Sequence, residues 1–364
     1  MTEDDLPAAE PTLSWDVGTA YEFFVSLFVI HTPENYDLRP SWAAKIRSRI
    51  PTTERTFLEE TLEFIYFPLP WLLPWLYSLP QPKNAITVLY ALQQIPPVRR
   101  GRVVFDLDAG IRPEDKYLLE IAERRSWNKN DLDTLYAILQ TSWPRSDERS
   151  LIKFLNWWVR PEDFGNLLLS SLQAYYQAFF EQEEKRVGPV LELGMEHAKQ
   201  LAGQLSIPNL MAELSQGVRF TEELGKELII VPTYWMTPLV SLEKINNEKK
   251  MFLWGARPST MSAIPGELVP DGLLISLKAL ADPTRLKILW YLNKEELTPS
   301  ELSRRLNLRA PTMTHHLKEL RLAGLVNLTF HGQEKLYRAR LEALDVMQGD
   351  LKGFLKNEAG KEDQ

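Results

Sequence analysis

Apolar and polar positions recur with helical spacing in two neighbouring stretches near the carboxyl end of the chain, LTPSELSRRL and APTMTHHLKEL. Thr298, followed three residues later by Glu301, predicts a capping box, and Pro299 occupies the first helical position. Pro311 is expected to begin the second helix and Gly324 to end it. Two short helices joined by a tight turn predict a helix-turn-helix. The predicted inner faces hold Leu302, Leu306, Met313, His316, Leu317 and Leu320.

The pattern changes on both sides of these helices. Residues 325–330 and 335–339 alternate apolar and polar positions and are separated by HGQE, which predicts a β-hairpin. Upstream, Asp282 is the expected N-cap of a helix over 280–292. The core face of that helix is predicted to carry Leu286, Leu289 and Leu292. A helix-turn-helix followed by a hairpin is a winged helix, whose second helix enters the major groove of DNA.

Helical periodicity also dominates the first 256 residues. Two apolar runs bounded by Pro and Gly, 227–231 (ELIIV) and 251–254 (MFLW), favour strands that pair with each other. Residues 102–107 favour a further short strand. The helical pattern over 161–205 is predicted to break near the Gly-Pro pair at 188–189.

These patterns predict a mainly α fold, in which a large helical N-terminal domain with a few short strands precedes a C-terminal winged helix. We expect a disordered tail at 1–12, a mostly helical effector or interaction domain at 13–256, a linker rich in Pro and Gly at 257–270, the winged helix at 271–356 and a disordered tail at 357–364.

Composition narrows the class of protein. A hydrophobic fraction of 44% and a charged fraction of 25% are typical of a soluble globular protein. The absence of cysteine excludes disulfides, thiolate metal sites and cysteine catalysis. Residues 64–82 carry no charge but contain five prolines, too many for a continuous membrane helix. The acidic amino terminus has no secretory pattern, so we expect a cytoplasmic protein.

Charge is distributed unevenly along the chain. Residues 271–340 contain 12 Lys and Arg against 7 Asp and Glu, a net charge of +5, whereas the whole chain carries −7. Contact with DNA phosphates requires basic character of this kind. The charge pattern therefore supports a DNA-binding role for the predicted winged helix.

Four motifs occur in order: ALADPTRLKIL, LTPSELSRRL, APTMTHHLKELRLAGLV and HGQEKLYRAR. Together they closely resemble the arsenical-resistance-repressor (ArsR) family of winged-helix regulators, over roughly residues 271–354. The resemblance implies a homodimer that binds a palindromic operator in double-stranded DNA, most often as a repressor. An N-terminal region of 270 residues departs from this family, whose members frequently have only a short dimerising extension.

The resemblance also assigns candidate DNA contacts. Where the family commonly has serine and glutamine at the start of the recognition helix, this chain has Arg309 and Ala310, so a good N-cap and a base-reading amide are both missing. Groove contacts are expected from Ala310, Thr312, Thr314 and His315, and Arg309 is expected to reach either a phosphate or a guanine edge. Phosphate contacts are expected from Arg304, Arg305, Lys318 and Arg321, and minor-groove or phosphate contacts from Lys335 and Arg338. Arg304, Arg305, Lys335 and Arg338 could instead be solvated surface charges.

Metal and catalytic sites are not expected. Thr298 and Ser300 stand where the family's metal sensors have cysteines, and hydroxyls do not hold soft metals. His315 and His316 are adjacent on a helix and diverge by roughly 100°, so they do not readily share one ion. No nucleophile elbow, P-loop or dinucleotide fingerprint is present, and no cofactor is predicted.

Dimerisation is expected from the helices that flank the winged-helix core, through Leu273, Leu277, Leu344, Met347 and Leu351. Alternatively, these helices pack on the N-terminal domain. The N-terminal domain is expected to modulate DNA binding, with a small-molecule effector as one means. A second function stays open, in which that domain is the ligand- or protein-binding module and the winged helix is a dimerising adaptor.

Overall fold

The computed structural model describes residues 10–64, 69–110, 112–142, 147–331 and 334–357. The chain forms two compact units. The sheet unit takes residues 1–15, 190–242 and 249–364, and the helical unit takes residues 16–189 and 243–248. This division differs from the one predicted at 257–270, because segments on both sides of that stretch belong to one unit.

α-Helices build the helical unit. Their bounds are α1 Thr19–His31, α2 Pro40–Arg47, α3 Thr52–Phe64, α4 Leu69–Ser78, α5 Ala85–Gln94, α6 Pro97–Val104, α7 Asp115–Arg124, α8 Lys129–Ser142, α9 Glu148–Trp158 and α10 Pro161–Tyr175. A π-helical turn at Tyr176–Phe180 leads into α11, Glu181–Ala202. None of the helices in the described ranges is both long and apolar enough to cross a bilayer.

Aromatic side chains fill the core of the helical unit. Trp158 stacks on Phe154 with ring centroids 5.4 Å apart and meets Phe164 edge-on at 5.1 Å. Close approach of backbones adds to this packing, because a Cβ on Gly165 would lie only 1.9 Å from the Pro97 carbonyl oxygen. In these positions the aromatic residues serve the core, as their large apolar area favours.

Two local predictions in this region are wrong. Residues 102–104 belong to α6, not to a strand, because helix α6 packs closely on α10 and overrides the β propensity of Val103 and Val104. The Gly-Pro pair at 188–189 does not interrupt α11. The irregularity lies instead at the π-helical turn.

A four-stranded sheet occupies one part of the sheet unit, in the order β1-β3-β5-β4. Its strands are β1 Thr12–Trp15, β3 Glu227–Thr233, β4 Val240–Lys244 and β5 Lys249–Gly255. The two predicted strands are confirmed and pair directly with each other, in parallel. Thr12 is predicted to lie in a disordered tail, but it belongs to β1 and pairs with Glu227 of β3. Residues 1–9 and 358–364 lie outside the described residues.

One face of this sheet packs on helices. Ala198 of α11 and the apolar face of α12, Ile207–Leu214, form a cluster with Leu228, Phe252 and Trp254. The two central parallel strands, β3 and β5, are largely buried, as their continuous apolar runs require.

The winged helix completes the sheet unit. Its elements are α13 Asp271–Leu280, α14 Pro283–Leu292, α15 Pro299–Leu306, α16 Ala310–Leu322, β6 Val326–His331, β7 Glu334–Ala339 and α17 Glu342–Asn357. A short upstream strand, β2 Val218–Phe220, pairs in parallel with β6 and makes a three-stranded sheet in the order β2-β6-β7. Residues before 257 thus share a sheet with the wing, which is why the two parts form one unit.

Candidate nucleic-acid interface

Local chemistry places α15 and the turn after it. The backbone N–H of Thr298 donates to Glu301 at 2.8 Å, and the Glu301 N–H donates to the Thr298 hydroxyl at 3.3 Å, which confirms the capping box. The backbone N–H and the hydroxyl of Thr298 both donate to the Glu301 carboxylate and lower its pKa. Asn307 ends the helix in the left-handed region at φ 52°. The turn therefore directs the chain into α16 through conformations that its own residues favour.

The inner face of α16 is anchored in the winged-helix core. Met313, Leu317 and Leu320 are buried together with Leu302 of α15. His316 lies on the same side and is half-buried, and its burial lowers its pKa. The predicted core face of α16 is thereby confirmed, and it fixes which side of the helix points outward.

The outer face of α16 is open to solvent. Arg309, Ala310, Thr312, Thr314 and His315 are all exposed, and the His315 side chain retains 66% of its accessible surface. No side chain caps α16 at Arg309, as the loss of the family's serine predicts. The Thr314 hydroxyl donates to the Ala310 carbonyl at 3.0 Å. This face therefore presents hydroxyl, imidazole and guanidinium groups, which can read base edges.

Cationic groups flank that face. Arg304 is exposed, and Lys318 is half-buried. Arg305 is engaged by Glu295, with Nη1 donating to the carboxylate at 2.6 Å, and it lies 5.7 Å from the Tyr291 ring. This geometry is that of a surface ion pair, so it favours the alternative in which Arg305 is a surface charge and does not contact DNA.

The wing carries two further exposed cations, Lys335 and Arg338, on β7. Between them Tyr337 packs inward, and its backbone pairs with Leu297 through two hydrogen bonds of 3.0 Å. Lys335 lies 5.6 Å from the Phe330 ring. The predicted hairpin is confirmed by the antiparallel pairing of β6 with β7, while its tip at 332–333 lies outside the described residues.

Comparison with known proteins agrees with this geometry. The family model described as a helix-turn-helix domain matches residues 280–329. The chain is 36% identical over 75 residues to an arsenical resistance operon repressor of Staphylococcus xylosus, which covers 21% of this chain and 72% of the repressor. The chain belongs to the arsenical-resistance-repressor family. It contains the DNA-binding, winged helix-turn-helix domain of a transcriptional regulator.

Other relatives have different named roles. A transcriptional activator of Vibrio cholerae, HlyU, is 42% identical over 64 residues, 18% of this chain and 59% of the activator. The nodulation protein NolR of Rhizobium meliloti is 32% identical over 94 residues, 25% of this chain and 77% of that protein. A homodimeric winged helix-turn-helix DNA-binding domain from Mycobacterium bovis, solved by NMR, is 21% identical and covers 29% of this chain and 97% of that chain, with a TM-score of 0.21.

Arg321 departs from the predicted interface of this regulator. It was assigned to a phosphate, but it is only 8% exposed, and its Nη2 donates to the carbonyls of Ser215 at 3.0 Å and Pro238 at 3.4 Å. Burial lowers its pKa to about 10, so it stays cationic at neutral pH. The prediction for Arg321 is wrong because the upstream segment covers the end of α16.

The sequence did not predict that strand β2 packs against the wing. Val218 of β2 belongs to the same apolar cluster as the inner face of α16, and Phe220 stacks on Phe330 at 5.6 Å and 11°. Gly217, at φ 96°, leaves no room for a side chain, because a Cβ would lie 1.9 Å from the Asn327 amide oxygen. A three-residue strand has no detectable period, so only this glycine marked the close approach.

The residues predicted for dimerisation fall into two groups. Leu273 is buried within its own chain, which contradicts its assignment. Leu277 is 39% exposed, and Leu344, Met347 and Leu351 are half-buried. Leu274, Leu341 and Leu355 are exposed as well, and sequence reasoning missed Val346, which is 53% exposed on α17. On α14, Leu286 is exposed, and Ile288 takes the predicted core position.

No group of three or more His, Asp or Glu residues within the described part of the chain is placed to hold a metal ion.

Proposed function

We propose that the protein is a homodimeric repressor that binds a palindromic operator through α16 and the wing, with its upstream residues modulating that binding. The observation that carries the proposal is the exposed polar face of α16, held outward by a buried inner face. It lies in the basic part of an acidic chain, which favours contact with DNA phosphates there.

The dimer is proposed from the apolar surface of α13 and α17. α13 and α17 contact each other, and Leu274, Leu277, Val346 and Leu355 on these two helices are between 39% and 62% exposed. Grouped exposed apolar residues are typical of an interaction surface. A twofold contact between these helices would fix the spacing and orientation of the two α16 helices of a dimer relative to each other. Such symmetry requires an operator with two related half-sites.

Modulation is proposed to pass through β2 and Arg321. The segment 215–220 hydrogen-bonds to the wing through β6 and accepts a hydrogen bond from the carboxyl-terminal end of α16. A change in the position of that segment would alter both DNA-contacting elements at once. Because β2 pairs with β6, a movement of the upstream residues would be transmitted directly to the wing.

The test starts by selecting duplexes from a random-sequence library with the full chain. Binding of the selected duplex is then measured against salt for the wild type and for the triple variant Arg304→Ala, Arg309→Ala, Lys318→Ala. Loss of three phosphate contacts should weaken binding roughly 100-fold or more at about 0.1 M salt and reduce the salt slope by about 3 per protomer.

A matched control removes three exposed cations of the helical unit, Lys116, Lys129 and Lys185, and should leave the salt slope unchanged. Failure to enrich any duplex, or equal losses in both triple variants, would contradict the proposal. If the protein dimerises but binds no duplex, the result would instead favour the second function, in which the winged helix is a dimerising adaptor.

A further inference from the structure

A cavity of about 280 Å³ lies within the sheet unit and is not used by the DNA-binding surface. One wall comes from the end of α12 and from the loops that follow β3 and β5. The other comes from α13, the end of α16 and α17. Its volume is close to the lower limit for small-molecule sites, so it suits a compact ligand.

Part of the lining is apolar. Met261 enters from the loop after β5, Leu273 from α13, Leu322 from α16 and Met347 from α17. Methionine side chains adapt to the shape of a ligand at little cost in free energy. These four residues can enclose an aliphatic group of a few carbon atoms.

Arg340 supplies a cationic group at the same cavity. Its guanidinium is half-buried and donates only to the Gly324 carbonyl, at 3.4 Å. No carboxylate in the described part of the chain lies within ion-pair distance of it. Arg321, buried beneath the neighbouring Pro238, adds a second positive charge, and its Nη1 has no hydrogen-bond partner among the described residues. An anionic group at Arg340 would relieve this excess of positive charge.

An acidic group lines the cavity as well. Asp350 of α17 accepts a hydrogen bond from the Ser259 hydroxyl at 3.1 Å, which leaves most of its acceptor capacity unused. The other arginine of the lining, Arg257, is already compensated, because it lies 3.6 Å from Asp271 and donates to the Thr237 carbonyl. The lining therefore contains a guanidinium, that of Arg340, without an ion-pair partner among the described residues, and a carboxylate, that of Asp350, with a single hydrogen bond.

We infer that this cavity binds a small zwitterion of the amino-acid class with an aliphatic side chain. Arg340 holds the carboxylate, Asp350 holds the ammonium group, and the apolar lining receives the side chain. The acidic Asp350 and the exposed Glu213 at the rim disfavour polyanions such as phosphates.

The location gives the ligand a route to regulation, a step that rests on the proposed function. The cavity is lined by the helices proposed to dimerise and by the last turn of the proposed recognition helix. A ligand that favours one arrangement of these helices shifts the population of DNA-binding dimers by its differential affinity.

The site is tested on the full chain without DNA, so that its failure is distinct from failure of DNA binding. Isothermal titration calorimetry is run with alanine, valine, leucine, isoleucine and methionine at millimolar concentration. For any amino acid that binds, the matching carboxylic acid without the amine and the matching amine without the carboxylate are compared. Each should bind at least roughly tenfold more weakly, since each lacks one charged contact.

Variants assign the contacts. Arg340→Gln should weaken amino-acid binding roughly tenfold to hundredfold, and Asp350→Asn should weaken the amino acid but not the carboxylic acid. Lys352→Gln changes a charge on the exposed side of α17 and should bind as the wild type does. Ser259→Trp blocks the cavity from an exposed loop, and it keeps the test valid if Arg340→Gln does not fold.

The inference is overturned if no amino acid of the panel binds, or if binding survives both Arg340→Gln and Ser259→Trp. Equal affinity for the amino acid and its carboxylic acid would overturn the zwitterion class and assign a simple anion.

Discussion

The two ends of α16 show how one helix serves two purposes. Arg309 at its start is exposed and has no capping role, whereas Arg321 at its end is buried and bonded to two upstream carbonyls. Both residues are arginines in the basic part of the chain. The first end faces solvent, where a duplex can approach, and the second is fixed to the segment that pairs with the wing.

This contrast teaches that the residue type alone does not identify a DNA contact. Desolvation of a guanidinium is unfavourable, so a buried arginine persists only where several acceptors surround it. Ser215 and Pro238 supply those acceptors to Arg321 from residues more than 80 positions away in sequence. The exposed end is accessible to the proposed DNA partner, and the buried end positions the helix.

The largest effect is expected at the buried end. Arg321→Ala should lower the free energy of unfolding by roughly 2 to 4 kcal/mol, because charge-assisted hydrogen bonds are lost and two carbonyls are left unpaired. Urea denaturation and hydrogen exchange of residues 215–220 measure it. Arg309→Ala is the matched control and should change stability by less than about 0.5 kcal/mol. Equal stability of the two variants would break the comparison.

The next effect concerns the strand that covers the wing. Gly217→Ala should destabilise the protein by roughly 1 to 3 kcal/mol, because its φ of 96° is strained for alanine and its Cβ would collide with Asn327. Gly266→Ala provides the control, since Gly266 has φ 76° but nothing within 4 Å. Thermal unfolding of both variants separates collision from backbone strain. Similar losses of stability in Gly217→Ala and Gly266→Ala would show that β2 does not approach the wing this closely.

At the exposed end the effect falls on binding and not on folding. Arg309→Ala should weaken binding of a selected duplex roughly fivefold to tenfold at about 0.1 M salt, the contribution of one phosphate contact. Fluorescence anisotropy of the labelled duplex measures the change. His197→Ala, a change far from α16 in sequence, should leave the affinity unaltered. Unchanged binding in Arg309→Ala would remove the proposed role of the exposed end.

The smallest effect is a pH dependence along the same helix. Burial lowers the pKa of His316 from its usual 6.5, and the carboxylate of Asp282 offsets part of that. The folded state then binds fewer protons than the unfolded state, so stability is full above about pH 6.5 and declines as the pH falls below it. His316→Gln should flatten this decline between about pH 7 and 5.5, whereas His315→Gln, on the exposed face, should retain it.

How far the sequence predicts the molecule follows from the range of each interaction. The capping box, the inner face of α16 and the hairpin are local, and cap chemistry and periodicity predicted all three. β2 pairs with a strand more than 100 residues away and has no period of its own. The burial of Arg321 follows from that distant pairing, so the pattern within α16 could not reveal it.

The same limit explains the errors upstream. Residues 102–104 combine β-branched side chains with no strand partner, and packing against α10 makes them helical. On α14, Leu289 and Leu292 contact the core as predicted, but Ile288 is buried there and Leu286 is exposed. A periodicity argument considers only residues that are neighbours in sequence, so it could not predict either of these contacts.

Hydrogen exchange of the full chain with and without a selected duplex tests the central claim most directly. The account predicts that the duplex slows exchange in peptides covering residues 309–318 and 334–339. Slower exchange confined to other parts of the chain, with α16 and the wing unchanged in the presence of saturating duplex, would contradict it.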